Sequence, residues 1–434
     1  MICKKRLMIN TMLLTCSSLV MSAVSMAFQA YLAGKIGSAG IGLYSLAMTA
    51  AALGATVAVS GVRYAATRLV AEEICANGSS GGAVRRCLCY ALAFGSLAMG
   101  ILYLAAEPVG FLWIGDARTV KPLKIMAFSM PMIAVSSAIS GYFTACGRVL
   151  GVTLVHFIEQ LCTIALAVLF LSLVPAGNLE QSCIALTAAT LGGDAVSVVL
   201  ISALYVYDKS RHGVPGAGQR LTGRMLRLAL PLAVSTYARS ALSTAEHMLV
   251  PRMLRVAGYT ADTALARYGA VHGMAMPVLS FPACILSAFA ELIVPELTAA
   301  QVRGDGDGIR RAAREILKKG GGYSTAAALV IFIFADKIGI GLYSSPDAAH
   351  CLGLLAPLVP VMYCDLLCDG CLKGLGRQVW SMGVNILDAL CGVVLVVILL
   401  PRYGMAGYIA MIYITECLNF ALSAAYLHAL VAEA

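Results

Sequence analysis

The chain has 434 residues, of which 60% are hydrophobic and only 12% are charged, and its formal net charge is +9. Soluble proteins carry about 25% charged residues, so this composition excludes an ordinary soluble protein and indicates an integral membrane protein. The positive charge does not indicate a nucleic-acid partner, because no soluble domain is available to carry a basic patch.

Twelve apolar segments of about 20 residues each, bounded by charged or turn residues, predict transmembrane helices. The predicted spans are residues 7–33, 41–62, 84–105, 122–145, 150–174, 182–207, 225–250, 266–294, 320–342, 348–372, 379–400 and 404–430. The first is too long for the apolar core of a signal peptide, about 7–15 residues, and we interpret it as a span, with cleavage after Ala23 as the alternative. The basic connection 295–319 predicts a short amphipathic helix on the membrane surface.

The basic residues predict the topology. With twelve spans, most of the 31 lysines and arginines fall in loops on the side of the N-terminus. The positive-inside rule therefore predicts a multi-pass protein of the cytoplasmic (inner) membrane with both termini in the cytoplasm.

An internal repeat relates the two halves of the chain. Residues 131–148, PMIAVSSAISGYFTACGR, align with residues 360–377, PVMYCDLLCDGCLKGLGR, at an offset of 229. The matched pairs are Pro131 and Pro360, Gly141 and Gly370, Gly147 and Gly376, Arg148 and Arg377, and, further along, Glu159 and Asp388.

Two copies of a six-helix unit predict parallel repeats around a central cavity, because an even number of spans gives both copies the same orientation. The predicted lobes are residues 1–207 and 225–434, joined by a cytoplasmic linker, 208–224. Proline and glycine within spans mark bends and close helix contacts. We therefore expect Pro131, Gly141, Pro360 and Gly370 to be hinge or packing positions.

Three stretches carry a family resemblance: GIGLYSLAMTAAALGATVAVSGVRYAATRLVAEE (40–73), YGAVHGMAMPVLSFPACILSAFAELIVPELTAA (268–300), and GYFTACGR with FIEQL (141–161). They resemble the stage V sporulation protein B group of polysaccharide biosynthesis proteins. That group belongs to the superfamily of the multidrug and toxin extrusion (MATE) exporters, the lipid II flippases and the O-antigen flippases. The resemblance implies an all-α membrane protein with two six-helix lobes around a cavity that opens alternately to each side.

Arg239 is the only basic residue that lies near the middle of a predicted span. It forms one helical stripe with Ser235, Ser243 and Glu246. A charge at the bilayer centre costs about 2.5–3.5 kcal/mol, so the stripe is expected to face a cavity or another helix. We predict that Arg239, Ser235 and Ser243, with Glu159 of the fifth span, line the substrate cavity; the alternative for Arg239 is a structural pair with a carboxylate.

Cation coupling is implied by the resemblance, because lipid II flippases build a sodium site from spans seven, eleven and twelve. The matching candidates here are Glu246, Asn385, Asp388 and Thr415, whose oxygen atoms suit a hard cation. Asp369 is a further candidate. The simpler interpretation of Asp369 is an ion-pair ladder with Asp365 and Lys373, one helical turn apart.

Catalysis and metal binding are not predicted. The chain has no P-loop, HExxH or nucleophile pattern, and His156, one turn before Glu159, is interpreted as its hydrogen-bond partner. Cys364, Cys368 and Cys371 are irregularly spaced for metal ligands, so packing is the favoured interpretation. We expect no cofactor, with Na⁺ or H⁺ coupling left open.

These observations predict a flippase of lipid-linked oligosaccharide or peptidoglycan precursors, acting by alternating access in spore cortex or cell-wall synthesis. The expected partners are a lipid-linked anionic glycan precursor, membrane lipids and cell-wall synthesis enzymes. The alternatives are a cation-coupled MATE-type exporter of drugs or metabolites and a non-transporting scaffold. A net positive mid-cavity favours the flippase, and a negative one favours the exporter.

Overall fold

The computed structural model describes residues 4–77, 81–175, 177–212 and 221–433. These residues form helices and short connections, with no β-strand among them. The α-helices are α1 (Lys4–Val59), α2 (Val62–Asn77), α3 (Gly81–Pro108), α4 (Val120–Ala127), α5 (Ser129–Ala145), α6 (Val149–Leu173), α7 (Leu179–His212), α8 (Leu221–Val256), α9 (Ala261–Tyr268), α10 (Met276–Ser280), α11 (Ala283–Val302), α12 (Gly306–Gly341), α13 (Pro346–Leu355), α14 (Val359–Gly374) and α15 (Gln378–Glu433). Single π-helical turns cover Val109–Ile114 and Gly269–Ala275, and 3₁₀ turns cover Ala117–Thr119 and Ala356–Leu358.

Helices α1 and α15 each contain two of the predicted spans. The backbone breaks at Gly37 (φ 67°, ψ 178°) in α1 and at Gly404 (φ 55°, ψ −128°) in α15, conformations that side chains with a Cβ rarely adopt. By length and composition, seven described helical segments could cross a membrane, or eight if the bent pair Ala117–Ala127 and Ser129–Ala145 is one span. Two of the seven, Ser17–Ile74 and Gln378–Ala432, contain two predicted spans each.

Packing divides the chain into two compact units. One comprises Met1–Gly42 with Ala245–Ala434, and the other comprises Leu43–Thr244. The unit that contains the second half of the chain thus also contains the first span, and the other unit contains the first part of α8. The predicted lobes follow the sequence repeat rather than this packing and stay a prediction; residues 213–220 of the predicted linker lie outside the described residues.

The repeat is visible in two identical helix ends. Arg148 N–H donates to Phe143 O and Arg377 N–H donates to Leu372 O, both at 2.9 Å. The preceding glycines, Gly147 and Gly376, have φ values of 68° and 71°. This left-handed end is a common way to satisfy the last helical carbonyls, and it explains why G-R recurs at the offset of 229.

The matched prolines lie where the fourth and tenth spans are interrupted. Pro131 lies just after the junction of α4 and α5, which is bent by 43°, and Pro360 follows the 3₁₀ turn Ala356–Leu358. A proline ring clashes with the carbonyl four residues earlier and removes one hydrogen bond, so each proline interrupts its helix at an equivalent position.

The matched glycines lie at close helix contacts. A Cβ on Gly141 would lie 2.6 Å from Arg63 O, and a Cβ on Gly370 would lie 3.0 Å from the Cβ of Ala290. The glycines therefore allow α5 to approach α2 and α14 to approach α11. Whether these positions also move remains a prediction.

A reciprocal glycine contact joins the beginnings of the second and eighth spans. A Cβ on Gly42 would lie 2.1 Å from Leu265 O, and a Cβ on Gly269 would lie 2.2 Å from Ser38 O. Both partner atoms are backbone oxygens, so the contact requires residues without a side chain.

The second and eighth spans are both interrupted, and tyrosines of neighbouring helices bond the interruptions. Ser60 and Gly61 have positive φ between α1 and α2, and Tyr90 OH donates to Ser60 O at 3.1 Å. Between α10 and α11, Tyr323 OH donates to Pro282 O at 3.1 Å. Each hydroxyl satisfies a carbonyl near the interruption, as an irregular backbone inside a membrane requires.

The predicted surface helix in 295–319 is wrong. Residues 306–319 belong to α12, which continues without a break to Gly341, and Asp305 begins the helix by accepting a hydrogen bond from Gly308 N–H at 2.8 Å. The basic segment is therefore an extension of the ninth span, because the apolar face of 306–319 leads directly into that of the span.

Candidate functional site

A polar cavity of about 200 Å³ lies within the unit 43–244. Its walls come from α5, α6 and α7 and from the region where α1 ends and α2 begins. The lining residues with polar side chains are Arg63, Ser136, Ser137, Ser140, His156, Glu159, Asp194 and Ser197.

Serine hydroxyls form much of the cavity wall. Ser136 and Ser140, one turn apart on α5, and Ser197 on α7 are buried, and their hydroxyls make no hydrogen bond with any described residue. Buried hydroxyls are normally bonded. This cavity is consequently suited to a polar or ionic occupant rather than an apolar one.

Both signs of charge are present in the cavity. His156 Nδ1 lies 3.0 Å from Glu159 Oε2, which confirms the interpretation of His156 as a hydrogen-bond partner. Asp194 interacts electrostatically with Glu159, and one of its carboxylate oxygens makes no hydrogen bond with a described residue. Arg63 makes no ion pair within the described part of the chain.

The approach of α7 to α6 depends on Gly193. A Cβ at this position would lie 1.9 Å from Thr163 Oγ1 and 3.3 Å from Glu159 O. The missing side chain lets the two helices pack closely beside Asp194. This contact explains how carboxylates from two helices reach one cavity.

Arg239 is exposed on the part of α8 that belongs to the unit 43–244. The neighbouring residues anchor this part of the helix, because Tyr237 OH donates to Ser60 Oγ at 2.5 Å and Ser240 Oγ lies 3.3 Å from Thr56 Oγ1. Arg239 itself makes no ion pair with the residues that the structure describes. The alternative, a structural pair of Arg239 with a carboxylate, therefore has no support among the described residues.

The other predicted members of the stripe are placed as follows. Ser243 is partly exposed in the same unit as Arg239, whereas Glu246 belongs to the unit that contains 245–434. The side chain of Ser235 lies outside the described part of the chain.

Four carboxylates from three helices form an acidic cluster in the unit that contains 245–434. Glu246 of α8 interacts electrostatically with Asp388 and Glu416 of α15, and Glu416 also interacts with Asp365 of α14. A Cβ on Gly392 would lie 2.5 Å from Glu246 Oε2, so the carboxylate of Glu246 lies against α15 one turn beyond Asp388.

Only part of the predicted coupling set is in this acidic cluster. Glu246 and Asp388 are brought together, whereas Asn385 Nδ2 donates to Ser381 O at 2.8 Å, and Thr415 Oγ1 donates to Met411 O at 3.1 Å. The latter two side chains are therefore bonded to their own helix.

Asp369 is bonded elsewhere. Lys373 Nζ lies 2.7 Å from its carboxylate, and the hydroxyl of Ser381 donates to it. The contact of Asp369 with Lys373 agrees with the ion-pair interpretation and not with a role of Asp369 in cation coupling. Asp365, one turn earlier, has a buried oxygen without a hydrogen bond to a described residue and belongs to the acidic cluster instead.

The possible ligand atoms in the cavity and in the acidic cluster are oxygen and nitrogen rather than sulfur. Cys368 and Cys371 are fully buried and pack as apolar side chains. In the ranges that the structure describes, no three His, Cys, Asp or Glu side chains are arranged so that they could hold a metal ion. The acidic cluster concentrates negative charge in the unit that contains 245–434.

Arg63, Asp194 and Glu416 were not predicted as site residues, and Asp365 was predicted only as a member of the ion-pair ladder with Asp369 and Lys373. The three acids lie within apolar spans, which is visible in the sequence. The sequence does not show which of the carboxylates within spans lie close together in the fold. The serine stripe at 136 and 140 also has helical spacing, and small hydroxyls are too common in membrane helices for that spacing to identify a cavity.

Comparison with known proteins gives two family matches. The family described as "Polysaccharide biosynthesis protein" matches residues 7–295, and the MatE family matches residues 248–398. Stage V sporulation protein B of Bacillus subtilis (strain 168) is 24% identical over 420 residues, which cover 93% of this chain and 80% of that protein. The probable multidrug resistance protein NorM of Rhizobium meliloti (strain 1021) is 27% identical over 151 residues, or 34% of this chain and 30% of that protein.

Solved structures with the same fold cover nearly the whole chain. An inward-facing multidrug resistance MATE family transporter has a TM-score of 0.72 at 16% identity, with 96% of this chain and 95% of that chain covered. The MATE multidrug transporter DinF-BH in complex with R6G has a TM-score of 0.72 at 13% identity, with 98% and 96% covered. The predicted fold class, an all-α membrane protein with twelve helices in two lobes, is confirmed.

Proposed function

Since this chain belongs to the polysaccharide biosynthesis protein family, as the sequence predicted, we propose that it is a flippase for a lipid-linked anionic glycan precursor. The precursor is an oligosaccharide or peptidoglycan unit on a lipid pyrophosphate, and the chain carries it across the cytoplasmic membrane by alternating access. The relative named stage V sporulation protein B supports a role in spore cortex or cell-wall synthesis.

The exposed guanidinium of Arg239 is the observation that carries this proposal. A mid-span charge is tolerated where it faces water, a partner charge or an anionic ligand, and no carboxylate among the described residues pairs with Arg239. A guanidinium can hold a pyrophosphate through two parallel hydrogen bonds, whereas a lysine offers only a point charge. Arg63, which has no ion-pair partner among the described residues, adds a second cationic group to the same unit.

Alternating access is supported by the interrupted helices. Spans two, four, eight and ten each combine an interruption with a close helix contact, at equivalent places in the two repeats. Broken spans at membrane depth are frequent where transporters bind and move substrates. This chain has no P-loop, so an ion gradient, the membrane potential or downhill substrate flux would drive transport, and we propose no enzymatic activity.

Coupling to Na⁺ or H⁺ is proposed for Glu246 and Asp388. The oxygen-only donor set of the acidic cluster fits a hard monovalent cation or a proton. A bound cation would offset the mutual repulsion of Glu246, Asp388 and Glu416. The bound cation would also offset the charge of Asp365. Asn385 and Thr415 are bonded to their own helix, which argues for a positioning role.

A MATE-type exporter of cationic drugs or metabolites is the second candidate. The carboxylates Asp194 and Glu159 in the cavity of the unit 43–244 favour it, because an organic cation needs acidic groups. The match of the MatE family to residues 248–398 supports it as well. A scaffold that does not transport is the third candidate.

The location and partners follow from the same reasoning. We propose the cytoplasmic membrane with both termini in the cytoplasm, on the basis of the lysine and arginine distribution. Cell-wall synthesis enzymes that make or consume the precursor are the proposed partners.

Vesicles reconstituted with the purified chain test the proposal. Fluorescent lipid II and a cationic dye are offered separately, and we expect movement of lipid II. Arg239→Lys should lose much of this activity and Arg239→Ala nearly all, at normal expression. Arg255→Ala, near the end of the same helix, is the control and should retain transport.

Two outcomes would contradict the flippase, and a third would contradict the substrate-binding role of Arg239. Transport of the dye without lipid II identifies the exporter, and transport of neither by folded protein identifies the scaffold. Recovery of transport when a second substitution neutralises a carboxylate in the Arg239→Ala variant would show that Arg239 holds helices together.

A further inference from the structure

A groove of about 510 Å³ separates the basic end of α12 from the last turns of α15. Both helices belong to the unit that contains 245–434. The α12 wall consists of Arg310, Ala313, Arg314 and Leu317, which have the i, i+3, i+4, i+7 spacing of one helix face. Small alanine at 313 leaves the space that a larger side chain would fill.

The α15 wall has the same spacing. It includes Ala424, Leu427, His428 and Val431, with alanine at the first position, whereas the α12 wall has its alanine at the second. Leu427 is buried, and the groove floor is apolar on both sides. A volume of this size is within the usual range for small-molecule sites, about 300–1,000 Å³.

The outer end of the groove is basic. Arg310 joins the two walls there, because its guanidinium donates to Val431 O at 3.2 Å and to Ala432 O at 3.5 Å. Arg314, one turn further along α12, is exposed and makes no hydrogen bond or ion pair with a described residue. Among the residues that the structure describes, no acidic side chain lines the groove. Asp307 lies 3.9 Å from Arg310 outside the lining, so Arg314 is the group that attracts an anion.

The position along α12 matches the membrane surface. Arg314 lies six residues before the predicted start of the ninth span at 320, or about 9 Å along the helix axis, at the level of lipid headgroups. Leu317 and Ala424 are on the side of the acyl chains. An amphiphile with an anionic head and an apolar tail therefore complements the groove at both ends.

We propose that this groove binds one anionic phospholipid of the surrounding membrane, with its phosphate on Arg314 and an acyl chain between α12 and α15. The positive-inside distribution alone would explain basic residues at this end. It does not explain two matched helix faces with alanines that leave a groove, or a guanidinium at its mouth that has no partner among the described residues. Basic pockets between transmembrane helices are a known arrangement for anionic headgroups.

Native mass spectrometry of the full chain in detergent tests this proposal. Phosphatidylglycerol and phosphatidylcholine with identical acyl chains are titrated separately, and the wild type should retain one phosphatidylglycerol in preference to phosphatidylcholine. Arg314→Gln should weaken this binding about fivefold, the effect of about 1 kcal/mol for one basic residue at the surface. Arg314→Lys should keep most of it.

Two further variants separate the groove from surface charge. Lys318→Gln removes an equal charge one turn along the same helix outside the groove, and it should bind like the wild type. Ala424→Phe leaves all charges in place and fills the groove, so it should lose the bound lipid. Equal retention of the two lipids, equal weakening by Lys318→Gln, or unchanged binding by folded Ala424→Phe would each overturn the proposal.

Discussion

Replacing Gly42 by alanine should destabilise the unit that contains 245–434. The new Cβ would lie 2.1 Å from Leu265 O, and real Cβ atoms essentially never approach closer than 3.0 Å. The second and eighth spans would therefore have to separate by about 0.9 Å, the difference between these distances. The obstructing atom is a backbone oxygen, which cannot rotate away as a side chain could.

The cost follows from known overpacking effects. Inserting a methyl group into a packed core costs about 1–3 kcal/mol, and the gain of alanine over glycine in a helix returns about 0.5–1 kcal/mol. A rigid obstruction belongs at the high end, so we expect a net loss of about 2 kcal/mol. For a unit of this size, that loss lowers the apparent melting temperature by about 4–8 °C.

Buried thiols of the same unit provide the assay. A dye that fluoresces on reaction with thiols reports unfolding in detergent as buried cysteines become accessible, and Cys351, Cys368 and Cys371 are 2%, 0% and 0% exposed. Gly34→Ala is the matched control, because it lies on the same helix and its Cβ would meet nothing within 4 Å. It should melt at or above the wild-type temperature.

The reasoning would be refuted if Gly42→Ala melted with the wild type, or if Gly34→Ala were equally destabilised. The first result would mean that the contact between the spans is looser than the structure indicates. The second would mean that this helix is intolerant of alanine for a reason unrelated to Leu265.

Three further predictions concern close packing, cation coupling and the interrupted second span. Gly141→Leu should impair transport more than Ala145→Leu, because only the first forces α5 away from α2; equal transport in vesicles would remove the packing role. Glu246→Gln and Asp388→Asn should each weaken the dependence of transport on a sodium or proton gradient while membrane insertion is kept, and a wild type that ignores both gradients would exclude coupling. Tyr90→Phe deletes a hydroxyl that bonds the interrupted second span and should cost about 1–3 kcal/mol; a melting temperature equal to that of the wild type would show that water replaces the hydroxyl.

The spans and the repeat could be predicted because each depends on local sequence. An apolar run of about 20 residues must be helical in lipid, and the G-R pairs at 147 and 376 end their helices in the same left-handed turn. The interruption at Ser60 and Gly61 was not predicted, since one glycine in an apolar run does not by itself mark a break and the bond from Tyr90 comes from another helix. The surface helix in 295–319 was mistaken because an amphipathic pattern does not distinguish a separate helix from the extension of a span.

The candidate site was predicted less completely. His156 and Glu159 are three residues apart, so their contact follows from helical spacing. Asp369 has the same kind of local contact with Lys373, one turn away. The meeting of Glu246 with Asp388 spans 142 residues of sequence, and it was suggested only by a family resemblance.

The hydrogen bonds at Ser60 also set an order of events during synthesis. Tyr90, which donates to Ser60 O, is made 30 residues later, and Tyr237, which donates to Ser60 Oγ, is made 177 residues later. At about 5–20 residues per second, Tyr237 is made roughly 10–35 s after Ser60. The second span is therefore made before either tyrosine. Tyr90 of the third span can bond Ser60 O first, and the bond from Tyr237 of the seventh span forms last.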